Sequence, residues 1–172
     1  MSNISMTTSK RNAIVTVMLI SAFVSMLNQT ILNTALPAII KGLNITETTA
    51  QWLITGFMLV NGIMIPLTAF LMDKYSTRHL YIFSMAIFLL GSIVAAFSPT
   101  FSILMISRII QAIGAGILLP LMQFTVFTLF PAEQRGFAMG LAGVVVQSAP
   151  AIGPTLTGLF VDLFSWRMPF YL

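Results

Sequence analysis

The stretch NAIVTVMLISAFVSMLNQTILNTALPAII, residues 12–40, runs for 29 residues without Asp, Glu, Lys or Arg. A helix crosses the hydrocarbon of a bilayer with roughly 20 apolar residues. A cleavable signal sequence has a shorter apolar region, roughly 7–15 residues, and a small-residue cleavage site. This stretch ends in Leu36-Pro37 instead, so it reads as a membrane span. The same signal recurs at 48–72, 79–107, 109–132 and 136–161, each free of those four charges. The third and fourth windows are divided by the turn signal Ser98-Pro99-Thr100, because the residue before proline is pushed out of the helical region. The expectation is an all-α membrane protein with five helices at about 13–39, 51–71, 80–97, 101–129 and 136–161. The segment Trp166–Leu172 is too short to span and reads as the interfacial start of a sixth.

Composition agrees. Of 172 residues, 58% are apolar and 7% are charged, against about 25% charged in a soluble domain. Twelve charged side chains cannot wet a globule of this size, which excludes an ordinary soluble enzyme and a disordered chain. The net charge of +4 is scattered and forms no patch, so no nucleic-acid partner is expected. There is no cysteine and one histidine, which leaves no ligand set for a Cys- or multi-His-bound metal. The Lys/Arg bias gives orientation. With a cytoplasmic N-terminus, inner segments hold Lys10, Arg11, Lys74, Arg78 and Arg135, and outer ones Lys41 and Arg167.

Polar residues inside the spans are the functional candidates. Ser21, Ser25, Asn28 and Gln29 share one helical face; they either bond neighbouring helices or face a hydrated cleft. Arg108 is sharper, because a charge at membrane depth costs on the order of 2.5–3.5 kcal/mol on insertion scales. It lies roughly 10 Å into the fourth helix and Asn28 roughly 22 Å along the first, at similar depth in a core of about 30 Å. Asn28 is thus placed to accept a hydrogen bond from Arg108. The other reading has Arg108 snorkel to the interface. Glu47, Asp73, Glu133 and Asp162 all fall in loops or at helix ends, so no acid lies deep in a span. The turn Asp73-Lys74-Tyr75-Ser76-Thr77-Arg78-His79 reads as a solvated loop or a charge latch. In the fifth helix Pro150 and Pro154 introduce kinks, and Ala149, Gly153 and Thr157 let another backbone approach closely. No internal repeat is apparent between the first three and last two helices.

These motifs assemble into a family pattern. Leu27–Pro37, read LNQTILNTALP, resembles the first-helix signature of the EmrB/QacA-type drug:proton antiporters, the fourteen-helix branch of the major facilitator superfamily. Ala69–Arg78 resembles that superfamily's loop motif: Leu71, Asp73, Lys74 and Arg78 match, while Ala69, Ser76 and Thr77 depart. Leu104, Arg108, Gln111 and Gly114 match its fourth-helix motif, with Ala112 for a glycine. Gly153, Pro154 and Gly158 match the fifth-helix antiporter motif, with Ala149 and Thr157 departing. Trp166-Arg167 and Phe170-Tyr171 are similar to the start of helix six.

The resemblance implies the N-terminal portion, residues 1–172, of a transporter whose missing C-terminal helices complete it. It implies proton-coupled multidrug efflux by alternating access, in the cell (inner or plasma) membrane, with no enzyme activity, no catalytic residue and no cofactor beyond the proton gradient. Arg108, Gln111 and Asn28 would take part in proton coupling. Asp73, Lys74 and Arg78 would form a conformational latch, and Gly153, Pro154 and Gly158 the packing contact of the antiporter motif. Many relatives carry an acid where this chain has Asn28, so the proton-carrying carboxylate is expected outside this chain. Small amphipathic or cationic compounds would meet a wall of Asn28, Asn33, Trp52, Thr55, Met58, Gln123, Phe124 and Gln147. The rival readings are a carrier of a sugar or another metabolite, and a small self-assembling channel or half-transporter. An intramembrane enzyme would need a base or paired acids at depth, which the chain lacks.

Overall fold

The protein is described by a computed structural model covering residues 7–163. Its five charge-poor runs form five helices: α1 (Thr8–Leu43), α2 (Glu47–Lys74), α3 (Thr77–Ala96), α4 (Phe101–Leu129) and α5 (Ala132–Leu163). Each is long and apolar enough to cross a membrane, and the described residues contain no strand. The anticipated start of a sixth helix lies outside the described residues.

Four helices run beyond the bounds expected from the sequence, while α4 keeps 101–129, because a helical hydrogen-bond ladder does not stop at a charged side chain. Thr46 caps α2 by accepting from the Thr49 N–H at 3.2 Å, and Glu47 sits in the first turn, where the helix dipole favours an acid. Glu133 does the same for α5. At the start of α1, Arg11 lies over the Phe130 ring at 4.3 Å, so the basic first turn packs against the end of α4. α1 ends at Asn44, whose φ of 51° is left-handed, and the Ile45 N–H closes back on the Ile40 carbonyl at 3.2 Å, the six-to-one bond of a Schellman stop.

The connections are short, so successive helices alternate in direction. Yet α2 and α3 barely touch. α3 packs along α4, α2 along α4, and α1 along α5, with a smaller α1–α4 contact. This pattern repeats: α1 holds α5 as α4 holds α2, and α1–α2 contact is as slight as α4–α5. The repeat absent from the residue pattern is therefore present in the packing. α4 is the most enclosed helix. A Cβ on Gly114 would lie 2.6 Å from the Ser84 carbonyl of α3, and one on Gly91 would lie 2.8 Å from the Gln111 amide nitrogen. Those glycines set the α3–α4 spacing.

Pro120 removes a backbone donor from the middle of α4, leaving the Gly116 carbonyl without its usual partner. The Thr68 hydroxyl of α2, fully buried, lies 3.3 Å from that carbonyl and 2.7 Å from Met64 O in its own helix. A neighbouring hydroxyl thus offsets the proline, as membrane helices require.

Apolar packing divides along the bundle axis. One cluster, including Val15, Met18, Leu80, Leu121 and Val126, gathers the end where α1, α3 and α5 begin. A second, including Leu32, Ile39, Leu53, Ala95 and Leu104, gathers the opposite end. Phe57, Phe88, Ala112 and Ala115 pack between them. The buried polar side chains Asn28, Arg108 and Gln111 lie beside that middle layer.

Candidate functional site

Arg108 has no exposed surface at all. Its register on α4 turns it into the bundle, toward α1 and α2, and away from lipid. Nη1 donates to Asn28 Oδ1 of α1 at 3.2 Å and to Gln111 Oε1, one turn along α4, at 2.7 Å. Gln111 Nε2 donates in turn to Ser92 Oγ of α3 at 2.8 Å, and Ser92 donates to Phe88 O at 3.0 Å. From α2, the Phe57 ring lies 4.2 Å from the guanidinium carbon, a cation–π distance. Four helices therefore hold one cation, through two amide oxygens and one aromatic face.

No acid with a described side chain cancels the charge. Among the described residues, Arg108 Nε and Nη2 have no hydrogen-bond partner. The acids whose side chains are described, Glu47, Asp73 and Glu133, stand in terminal turns of α2 and α5. A buried cation without a counter-charge is a large energetic liability, and the cradle offsets only part of it. The snorkelling alternative is excluded, since the side chain reaches no surface.

The loop residues stand apart. Asp73, Lys74 and Arg78 are exposed, and within the described residues none enters an ion pair. Lys74 lies over the Phe70 ring at 4.4 Å. The His79 ring nitrogen Nδ1 and the Ser76 hydroxyl are 2.6 Å apart. Arg78 lines an apolar groove of about 560 Å³ between α1, α3 and α4, together with Val17, Tyr81 and Phe124. Tyr81 ties the groove walls through a 2.6 Å hydrogen bond with Ser21 of α1.

The α5 motif splits. Gly153 is buried, and a Cβ there would lie 2.7 Å from Thr30 Cγ2 of α1. Ala149 and Thr157, one turn to either side, are also buried, so the three small residues form the α1–α5 crossing. Thr157 Oγ1 donates to Gly153 O at 2.7 Å. Pro154 and Gly158 are exposed, and a Cβ on Gly158 would meet nothing within 4 Å.

The residues expected to form one substrate wall are dispersed. Asn28 is buried against Arg108. Gln123 and Gln147 meet at a cavity of about 310 Å³ between α1, α4 and α5, beside Met26, Met122 and Met139. Phe124, next in sequence to Gln123, opens into the α1–α3–α4 groove instead. Asn33 is exposed on α1, and Trp52, Thr55 and Met58 on α2. Sequence reasoning passed over Phe57 and Ser92. An aromatic residue and a serine within apolar helices carry no signal of their own; only their distance to Arg108 and Gln111 marks them.

Comparison with known proteins places this geometry. The model of the Major Facilitator Superfamily matches residues 18–172. The uncharacterized MFS-type transporter YcnB of Bacillus subtilis is 55% identical over 162 residues, covering 94% of this chain and 34% of its own length. The lincomycin resistance protein LmrB of the same organism is 44% identical over 155 residues, covering 90% of this chain and 32% of its own length. The chain thus spans about a third of the length of these relatives. Among solved structures, a bacterial homolog of the human lysosomal transporter Spinster, inward-facing and unoccupied, superposes with a TM-score of 0.79. It shares 17% identity and covers 92% of this chain and 33% of its own, a likeness of fold.

Proposed function

The chain belongs to the major facilitator superfamily, and from that premise we propose that it is the N-terminal portion of a proton-coupled drug exporter. The exporter takes small amphipathic or cationic compounds and works by alternating access. Its remaining helices close the cavity, with substrate between the two halves. Inward proton flow supplies the energy, and no bound cofactor is needed. The protein resides in the cell membrane with its N-terminus in the cytoplasm. It is a carrier and not an enzyme.

One observation supports this reading above the others: a fully buried arginine held by Asn28 and Gln111 with its charge uncompensated. A structural arginine would be paired. An unbalanced charge between four helices makes the packing sensitive to any proton or anion that approaches it. The name of the LmrB relative, a lincomycin resistance protein, supports a drug as cargo. Asp73, Lys74 and Arg78 form the latch in a state other than this one, and the α1–α5 crossing at Gly153 seals the half-bundle during the cycle.

The test is Arg108→Ala in the full-length transporter. Dye efflux driven by a pH gradient is expected to fall to the level of vesicles without protein, with membrane insertion unchanged. Efflux at the parental rate would overturn the coupling role.

A further inference from the structure

The groove of about 560 Å³ between α1, α3 and α4 lies at the basic end of the bundle, where α1 and α3 begin and α4 closes. Its two ends differ. Thr77, Arg78 and Thr128 line it at the helix termini, and Val17 and Phe124 line it further in. That inner part reaches roughly 7 Å along the axis, at 1.5 Å per residue. Ile14, Val17 and Phe124 are exposed there, so the groove is open to the hydrocarbon along an apolar wall. Five basic residues stand at this end, Lys10, Arg11, Lys74, Arg78 and Arg135, against two acids with described side chains, Asp73 and Glu133. Arg11, Lys74 and Arg135 each rest on a phenylalanine ring. Arg78 does not: among the described residues its guanidinium has no ring, hydrogen bond or ion pair, and it is the cation that lines the groove. The hydroxyls beside it are engaged. Thr128 donates to Phe124 O at 2.8 Å, and Tyr81 bonds Ser21 at 2.6 Å.

We propose that this groove holds one anionic phospholipid of the cytoplasmic leaflet, with an acyl chain on Ile14, Val17 and Phe124 and its phosphate on Arg78. A single occupant then satisfies both ends. A free anion would gain nothing from the apolar wall, and a purely apolar chain nothing from Arg78. The planar guanidinium presents paired N–H donors that match two phosphate oxygens. Basic pockets between membrane helices on the cytoplasmic side take anionic head groups for this reason, helped by the excess positive charge around them. Lodged there, the acyl chain joins α1 to the α3–α4 pair alongside the Tyr81–Ser21 bond. Orientation alone is borrowed from the export reading, to choose the leaflet; the lipid chemistry stands without transport.

The experiment follows the first lipid bound to purified full-length protein by native mass spectrometry. Phosphatidylglycerol and phosphatidylcholine of equal chain length are titrated, with glycerol 3-phosphate as a soluble competitor. The parent protein is expected to hold phosphatidylglycerol the more tightly. Arg78→Gln should weaken it about fivefold, one basic residue's share at an anionic surface, and so remove the preference. Val17→Trp fills the apolar wall and should weaken both lipids. Lys41→Gln, at the opposite end, should change neither, and glycerol 3-phosphate, which has no tail, should displace neither. Equal retention by Arg78→Gln and Lys41→Gln overturns the head-group contact. Undiminished retention by Val17→Trp overturns the groove, and means that the remaining helices of the transporter cover it. Displacement by glycerol 3-phosphate overturns the lipid in favour of a free phosphate. Should Val17→Trp fail to fold, Ala13→Leu narrows the same groove and carries the same two outcomes. The readout needs neither cargo nor a proton gradient, so absence of driven efflux in the parent protein would sink the export reading and leave this site standing.

Discussion

Gly153 and Gly158 lie five residues apart in one motif and face different surroundings. A methyl group on Gly153 would press into Thr30, 2.7 Å from Cγ2 and 2.9 Å from Cβ, and one on Gly158 would meet open space. Overpacking of this kind costs about 1–3 kcal/mol. Gly153→Ala is therefore expected to lower the thermal midpoint of the detergent-solubilised protein, while Gly158→Ala stays within about 0.5 kcal/mol of the parent. Equal effects from the two would refute the crossing at Gly153. Residues one apart also diverge. Gln123 and Phe124 point about 100° apart on α4, so they open into different cavities. This is why Arg108 and its Asn28 contact were legible in the sequence and the proposed wall was not. Depth follows from counting along a helix, whereas the rotation that chooses a face is set by packing against neighbours.

At the scale of the helix, the proline inside α4 is answered by a neighbouring helix. Pro120 frees the Gly116 carbonyl and Thr68 lies within reach of it, at 3.3 Å. Thr68→Val keeps the shape and removes the donor. It is expected to destabilise the protein by about 1 kcal/mol, since a buried carbonyl is left unpaired. Restoring the backbone donor with Pro120→Ala should suppress most of that loss, a coupling that a double-mutant cycle measures. Additive effects would mean that Thr68 serves only its own helix, through Met64 O at 2.7 Å. The number of helices was readable from uncharged length together with the Ser98-Pro99 turn signal. The ends of α4 were also readable, at 101 and 129, but those of α2 were not, because Thr46 capping and the dipole-favoured Glu47 carry it past the apolar window that hydropathy registers.

Across the whole molecule, the described basic residues separate by end. Lys10 and Arg11 open α1, Lys74 closes α2, Arg78 opens α3 and Arg135 lies in the first turns of α5, all at one end of the bundle. Lys41, near the close of α1, is the described basic residue at the other end, beside Glu47. Several of the first group rest on aromatic rings: Arg11 on Phe130, Lys74 on Phe70 and Arg135 on Phe127, each within 4.4 Å. Such pairs hold the charges at the boundary between hydrocarbon and water. Under the proposed topology, the positive-inside bias sets this end in the cytoplasm. The chain contains no cysteine, so single cysteines read its orientation directly. Ser76→Cys lies between α2 and α3 at the basic end, and Thr100→Cys between α3 and α4 at the other; both positions are exposed. A membrane-impermeant maleimide should label Thr100→Cys in intact cells, and Ser76→Cys only in inverted vesicles. The opposite pattern would place the N-terminus outside.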